Sequence, residues 1–163
     1  MPTDPCDRDA ILALDDTALA TACELEFFKG SGNGGQKRNK TSSAVRLRHR
    51  ASGLTAEDCT ERSQHRNRAT ALRKLRMRLA LEIRHSPARP LPRPECALGH
   101  PDYPLWCARL ADALAEHGWE PKDAAPQLGF STSALLKFLY RDPQLWQFVN
   151  RQRQAAGLPP LRR

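Results

Sequence analysis

The chain lacks the features of a membrane or secreted protein. None of its 163 residues belongs to an apolar run that approaches the roughly 18 residues a membrane-spanning helix needs. The amino terminus reads Met-Pro-Thr-Asp-Pro, without the basic start of a secretory signal or the arginine-rich pattern of a transit peptide. We therefore expect a soluble, cytoplasmic protein that is not targeted and does not contact membranes.

The sequence also lacks the cysteine spacings of metal sites and disulfide frameworks. No two cysteines have the C-x-x-C separation typical of zinc ligands, and their number is odd. They are Cys6, Cys23, Cys59, Cys96 and Cys107. We expect reduced thiols, no metal and no organic cofactor.

Aromatic residues make up only 6% of the chain, whereas positive charge is abundant and uneven. Residues 1–28 carry one basic against seven acidic side chains, residues 29–84 carry fifteen against four, and residues 85–163 carry ten against seven. A middle segment with a net charge of +11 and few aromatic rings favours contacts with nucleic acid phosphates over base stacking. The alternative is a solvated helix face.

A glycine-rich stretch lies at the start of this basic segment. Four of the six positions 30–35 are glycine, which lets a backbone adopt positive φ angles and approach another molecule closely. Gln36 follows with a neutral amide that can both donate and accept hydrogen bonds. The flanking cations are Lys29, Lys37, Arg38 and Lys40. This pattern predicts a loop that reaches into a polyanion, and nucleic acid is the leading candidate.

The surrounding patterns predict an α+β domain. We expect a short helix over 17–23, a strand from Glu24, the loop, a strand over 44–49 with alternating basic residues, a turn over 50–53 and a weaker strand over 54–60. This arrangement would give a hairpin with one basic face. From Glu61 onwards apolar residues recur every three or four positions, which predicts a helix whose stripe faces the core.

Four prolines between residues 87 and 94 predict a stiff linker over 85–103, followed by a small all-α module over 104–163. Helices are expected to end near Gly118, to begin at Pro121, to break at Leu128-Gly129, and to begin again at Ser131 and at Asp142-Pro143. The order resembles a helix-turn-helix, a pattern shared with small bundles that only pack or bind proteins. Both interpretations stay open.

Three blocks of sequence together resemble a known domain. They are Gly34-Gly35-Gln36, then Asn39-Lys40-Thr41 with Ser43-Ala44-Val45-Arg46, and then residues 61–69, Glu-Arg-Ser-Gln-His-Arg-Asn-Arg-Ala. In this order and separation they resemble the peptidyl-hydrolase domain of bacterial class-I peptide chain release factors, over about residues 23–84 of this chain. In size the chain is similar to the short release-factor-like proteins. With about 22 residues before the first matching strand, we expect no codon-reading domain.

The resemblance implies hydrolysis of the ester between nascent peptide and tRNA in the large ribosomal subunit, with rescue of stalled ribosomes as the setting. It implies that Gln36 is catalytic, that Gly34 and Gly35 shape its backbone, and that the partners are ribosomal RNA and peptidyl-tRNA. We expect a monomer. The implied RNA-binding residues are Lys29, Lys37, Arg38, Lys40, Arg46, Arg48 and Arg66. The implied loop supports are Asn39, Thr41, Ser63 and His65.

The chain departs from the family pattern at Asn33, where many relatives have Pro or Ala, and at Lys37-Arg38, which adds charge. Its carboxyl-terminal part contains tryptophans and is not the Lys/Arg-rich tail usual in short rescue proteins. Two rival hypotheses therefore stand beside the hydrolase. One is a non-catalytic RNA- or DNA-binding protein that uses the basic hairpin and the helix-turn-helix-like unit. The other is a protein-binding adaptor with an exposed patch formed by Trp106, Trp119 and Trp146.

Overall fold

A computed structural model describes residues 7–28 and 43–162, and within these ranges it contains one three-stranded antiparallel sheet and seven helices. The chain divides into two compact units, Met1–Leu79 and Ala80–Arg163. This architecture confirms the α+β class. The division into residues 1–84, 85–103 and 104–163 stays a prediction. The elements are α1 (Arg8–Ala13), α2 (Asp16–Thr21), β1 (Cys23–Phe28), β2 (Ala44–His49), β3 (Thr55–Asp58), α3 (Gln64–Glu82), α4 (Tyr103–Glu116), α5 (Pro121–Gln127), α6 (Thr132–Arg141) and α7 (Pro143–Ala155).

The sheet of the first unit has its strands in the order β1-β2-β3. The central strand β2 alternates as predicted, with Val45 and Leu47 fully buried and the arginines between them exposed. Gly53 has a φ of +71°, a left-handed conformation that suits glycine, and it completes the turn between β2 and β3. The predicted return strand over 54–60 is shorter in the structure, where it covers Thr55–Asp58.

Helix α3 lies along β3. The ammonium of Lys74 donates to the carbonyl of Glu57 at 3.1 Å, and the guanidinium of Arg78 donates to the carbonyl of Thr55. The stripe predicted for this helix is buried at Leu72, Leu75 and Leu79. Each buried leucine contributes about 2 kcal/mol by leaving water, so this stripe fixes the helix face that turns inward.

Helix α1 has no counterpart among the sequence-based predictions. It is only six residues long, too short to show an apolar period, and the side chain of Asp7 caps it by accepting a hydrogen bond from the Asp9 amide at 3.2 Å. The predicted helix over 17–23 is α2, where Asp15 caps the first turn by accepting from the Ala18 amide at 2.7 Å.

The second unit contains four helices within the described residues, and their boundaries confirm the predicted ones. Gly129 has a φ of +73° in the turn after α5, Ser131 caps α6 by accepting from the Ala134 amide, and Asp142 caps α7. Trp106 is fully buried between helices, with its ring 6.1 Å from the ring of Tyr103. No helix in the two described ranges combines the length and the apolarity needed to cross a membrane.

The proline-rich segment between α3 and α4 has neither helix nor strand, as its prolines predict. Its carbonyl oxygens accept hydrogen bonds from side chains of the second unit. Trp106 Nε1 donates to the carbonyl of Arg93 at 3.2 Å, and Arg109 donates to that of Pro90 at 2.7 Å. The segment is therefore packed against α4 and is part of the second unit's structure.

Candidate active site

The predicted catalytic loop joins two neighbouring strands. Phe28 at the end of β1 pairs with Ala44 at the start of β2, so the backbone on either side of residues 29–43 meets at one end of the sheet. Several predicted site residues lie outside the described residues. They are Gly34, Gly35, Gln36, Lys29, Lys37, Arg38, Lys40, Asn39 and Thr41.

Asn67 links the segment after this loop to the start of helix α3. Its side-chain amide nitrogen donates to the carbonyl of Ser43 at 2.7 Å and to the carbonyl of Glu61 at 2.9 Å. Its amide oxygen accepts from the backbone N–H of Glu61 at 2.8 Å. Asn67 is fully buried, so these three bonds satisfy the amide without water. Ser43 is thereby fixed one residue before β2.

Sequence reasoning missed the role of Asn67. An asparagine inside a helix is unfavourable unless its side chain has a specific partner, and that rule could have identified it within the block 61–69. The two residues that were predicted instead, Ser63 and His65, lie at the start of α3 and are exposed. Ser63 Oγ accepts from the Arg66 amide at 3.4 Å, a weak cap. Their role in supporting the loop stays a prediction.

The exposed face of the sheet is not uniformly basic, which corrects the expectation of a basic hairpin face. Arg46 lies between two carboxylates on the flanking strands, 3.1 Å from Glu26 and 3.0 Å from Glu57. Arg48 lies 3.7 Å from Glu24. The hydrogen bond to Glu57, aided by nearby Glu26, raises the pKa of Arg46 above its usual value. The period-two pattern identified the arginines, but not the glutamates opposite them.

The first turns of α3 and the residues just before it carry a different set of cations. Arg66 has 73% of its side chain exposed and lies 3.7 Å from Glu61. Arg62 and Arg68 are exposed on either side of it. Arg66 was predicted to bind RNA and its two neighbours were not. Because Asn67 connects this end of the helix to Ser43, these cations are carried by the element that anchors the loop exit.

A buried carboxylate, that of Asp58, links the end of β3 to helix α3. Asp58 accepts from Lys74 Nζ at 2.7 Å and from Thr60 Oγ1 at 2.8 Å. Burial by itself would raise the pKa of Asp58, but the hydrogen bonds from Lys74 and Thr60 outweigh it and lower that pKa below its ordinary value. The pair ties β3 to α3 while Asp58 stays ionised.

His49, at the end of β2, is a buried residue that serves the fold. Its Nδ1 lies 2.9 Å from Ser52 Oγ in the turn to β3. Burial lowers the pKa of His49, which favours the neutral ring at neutral pH.

The described side chains next to the loop exit offer positioning and hydrogen bonding. Within residues 7–28 and 43–162, no group of three His, Cys, Asp or Glu side chains is arranged to hold a metal ion. The arrangement consists of the paired strands β1 and β2, the fixed residue Ser43 just before β2, and cations on the neighbouring helix α3. Such a scaffold can hold a loop against an anionic surface.

Comparison with known proteins matches this part of the chain to one family. Residues 18–93 match the RF-1 domain. Peptide chain release factor 2 of Campylobacter lari is 40% identical over 73 residues, which cover 45% of this chain and 19% of that protein. Peptide chain release factor 1 of Thermotoga maritima is 52% identical over 56 residues, which cover 34% of this chain and 16% of that protein. Peptide chain release factor 1 of Leptothrix cholodnii is 48% identical over 64 residues, 39% of this chain and 18% of that protein. The matches thus span less than a fifth of the length of these relatives.

Proposed function

We propose that this chain is a member of the class-I release-factor family and hydrolyses the ester bond between a nascent peptide and tRNA on the ribosome, because its residues 18–93 match the RF-1 domain and its relatives are release factors. The observation that carries the proposal is the pairing of β1 with β2 on either side of the loop, together with the side-chain contact that holds the residue where the chain enters β2. The loop that contains Gly34, Gly35 and Gln36 connects paired strands, and Asn67 fixes its exit at Ser43. A glycine loop with fixed ends suits a reaction that depends on positioning.

In the proposed reaction a water oxygen attacks the ester carbonyl carbon, the carbonyl oxygen becomes an oxyanion, and the carbon–oxygen bond to the terminal ribose breaks. The ribose hydroxyl leaves with one proton from the water, and the peptide leaves as a carboxylic acid. Gln36 donates its backbone N–H to the oxyanion, and Gly34 and Gly35 allow the backbone to place that N–H. Loss of one such donor typically raises the activation barrier by about 3 to 4 kcal/mol. No cofactor takes part in this scheme.

We propose further that release does not require a stop codon and that the protein acts as a monomer in the cytoplasm, on stalled ribosomes or released large subunits. The family match ends at residue 93, and the four helices that follow lie beyond it. The predicted RNA contacts of the loop cations and of Arg66 belong to the same proposal. Arg46, Arg48 and Arg66 each have a carboxylate neighbour, and Arg66 is the most exposed of the three at 73%, so it is the one we expect to meet phosphate.

The test is peptide release from ribosomes stalled on a message that ends in the P site, compared with ribosomes that display a stop codon or a sense codon. The proposal predicts release by the wild-type protein from the message-end complex, none above background with Gly35→Ala at an early time point, and no gain from a stop codon. Release only at stop codons would overturn codon independence. Absence of release from every complex would overturn the hydrolase assignment.

The binding-protein rival is favoured by one observation, the polar outer surface of helix α6, and it is separated from the hydrolase by the same experiment. The adaptor rival loses its main support. Trp106 is fully buried, and Trp119 and Trp146 are partly buried, each with its ring against another aromatic ring. These three side chains do not form an open apolar patch.

A further inference from the structure

In the second unit, helices α5 and α6 are arranged as a helix-turn-helix, and α6 is its outer helix. Helices α5 and α6 are joined by residues 128–131, and Gly129 there adopts a left-handed conformation that ends α5. Helix α6 packs on both α5 and α7. Leu135 and Leu139 are its fully buried residues, so the opposite side of the helix faces outward.

The outward side of α6, here called the α6 face, consists of Ser133, Lys137 and Tyr140. These residues are spaced four and three apart, which places them on one side of a helix, and all three are exposed. They supply a hydroxyl, an ammonium and an aromatic ring. In helix-turn-helix proteins the corresponding face of the second helix is the one that meets nucleic acid.

The next helix continues this chemistry. Four exposed residues of α7 follow a spacing of three or four along one side of the helix, and each is glutamine or arginine. They are Gln144, Gln147, Arg151 and Gln154, here called the α7 face. Helices α6 and α7 contain no acidic residue. Asp142 between them is occupied as the cap of α7 and accepts from the hydroxyl of Tyr103 at 2.8 Å.

Three acidic side chains elsewhere in this unit are engaged in internal contacts, whereas Glu95 and Asp123 are exposed. Asp112 is buried beside Arg84 at 3.0 Å, and Glu120 lies 3.1 Å from Arg153. Glu116 accepts from Gln127 at 3.1 Å. Carboxylates that are neutralised or buried in this way do not oppose an anion that approaches the α6 and α7 faces.

An exposed ring lies beside the cation of the α6 face. Tyr140 is 45% exposed, and its ring centroid lies 5.7 Å from that of Trp146 with the ring planes perpendicular. An aromatic pair in this orientation holds Tyr140 while leaving much of its ring accessible. Exposed rings next to cations and amides are typical of proteins that bind unpaired bases and the adjoining phosphates.

We propose that the α6 and α7 faces form an RNA-docking surface that takes a stem-loop, with Lys137 and Arg151 on phosphates and Tyr140 against an unpaired base. The choice of RNA rests on the proposed function, since a unit that is covalently joined to a peptidyl-tRNA hydrolase works among ribosomal RNA. Glutamine amides and the Ser133 hydroxyl can hydrogen-bond to base edges or to 2′-hydroxyls. This surface adds a second RNA contact to the chain besides the loop.

The test measures binding of the full chain to an RNA stem-loop, to a DNA hairpin of the same sequence and to purified large ribosomal subunits, over a range of salt concentrations. The principal variant is Lys137→Gln with Arg151→Gln. The matched control, Arg89→Gln with Arg162→Gln, removes the same charge from exposed positions of the second unit outside both faces. A third variant, Tyr140→Leu, keeps an apolar side chain against Trp146 but removes the ring. Circular dichroism and thermal unfolding verify that each variant is folded.

The proposal predicts that the principal variant weakens stem-loop binding about tenfold and lowers the slope of log affinity against log salt by about 1.4 to 1.8, because each lost phosphate contact accounts for about 0.7 to 0.9. The control should retain at least half of the wild-type affinity. Tyr140→Leu should weaken binding about tenfold without changing the salt slope.

Equal losses in the principal and control variants would overturn the proposal, since only net charge would then matter. A DNA hairpin bound more tightly than the stem-loop would overturn it in favour of a DNA-binding unit. Unchanged RNA and subunit binding in the principal variant, with peptide release still abolished by Gly35→Ala, would refute the docking surface and leave the proposed function intact. Absence of peptide release from the wild type would instead refute the proposed function.

Discussion

The sheet of the first unit and helices α6 and α7 of the second use their polar side chains in different ways. On the sheet of the first unit, Arg46 lies between Glu26 and Glu57, and Asn67 and Asp58 turn their hydrogen bonds inward. On α6 and α7 of the second unit, Lys137 and Arg151 are exposed on helices without acidic residues. The segment with the larger net charge therefore has part of that charge in ion pairs, whereas in the segment with only +3 the cations of the α6 and α7 faces are exposed. Net charge alone does not locate an anion-binding surface.

The largest effect is expected from Asn67→Ala, which removes hydrogen bonds that a buried side chain of the first unit makes to the backbone. This change would remove the hydrogen bonds of the amide to the carbonyls of Ser43 and Glu61 and to the backbone N–H of Glu61. We expect a loss of about 3 kcal/mol in the free energy of unfolding. Peptide release should fall as well, because the loop exit is no longer fixed. Denaturant unfolding and single-turnover release measure the two effects.

The second unit offers a matched asparagine for comparison. Asn150 Oδ1 accepts one hydrogen bond, from the Leu161 amide at 2.6 Å, and its side chain is only partly buried. Asn150→Ala should cost about 1 kcal/mol and leave the rate of release unchanged. A smaller loss for Asn67→Ala than for Asn150→Ala would contradict the anchoring role of Asn67.

The next effect is a pH dependence from Asp58. Its pKa is lowered in the folded protein from the ordinary 3.8, so its stabilising contribution is complete well above that pH and is lost as the pH falls through the folded-state pKa. Replacing Asp58 by Asn should therefore cost about 2 kcal/mol near neutral pH and progressively less in acid. Urea unfolding between neutral pH and pH 3 measures this difference.

Glu57 provides the control for Asp58 on the same strand. Its side chain is 58% exposed, so Glu57→Gln should change the free energy of unfolding little at any pH. A difference between wild type and Asp58→Asn that stays constant from neutral pH into acid would show that the Asp58 carboxylate does not carry the effect.

Removing the carboxylate partners of Arg46 would make the sheet face of the first unit cationic, as the α6 and α7 faces of the second unit are. With Glu26→Gln and Glu57→Gln together, the guanidinium loses both carboxylate partners, and the sheet face becomes cationic. We expect RNA stem-loop affinity to rise about threefold, a modest gain because exposed ion pairs are worth only about 0 to 1 kcal/mol. Filter binding at low salt measures it. Unchanged or weaker affinity would mean that the sheet face does not meet RNA.

The smallest expected effect is that of Arg48→Gln on stability. Arg48 and Glu24 are each about 60% exposed and 3.7 Å apart, so their pair should contribute less than about 0.5 kcal/mol. Thermal unfolding of Arg48→Gln and of Glu24→Gln should give nearly the wild-type midpoint. A marked shift in either would show that the sheet depends on its surface charges.

Local signals in the sequence predicted most of the fold. The glycines at 118 and 129, the caps at Ser131 and Asp142 and the leucine period of α3 act within a few residues, so their outcome is visible in the sequence. Helix α1 was not predicted, because six residues show no apolar period. The packing of the proline-rich segment was not predicted either, because its carbonyls meet Trp106 and Arg109 through contacts that no local pattern encodes.

The candidate site divides in the same way. Motif spacing identified the loop and its flanking cations, and these residues stay predictions. The contacts of Asn67 with Ser43 and of Arg46 with Glu26 span 24 and 20 residues. The first depends on how helix α3 packs on the sheet and the second on strand register, and the sequence analysis determined neither.

The most direct test of the central claim is single-turnover peptide release from message-end ribosomes by the wild type, Gly35→Ala and Gly99→Ala, with ribosome binding measured in the same reactions. Gly99 does not have a positive φ, and a methyl group there would meet nothing within 4 Å, so its replacement is the matched control. The account predicts that Gly35→Ala binds normally and releases peptide at least about a hundredfold more slowly, while Gly99→Ala matches the wild type. Equal rates for all three proteins would contradict it.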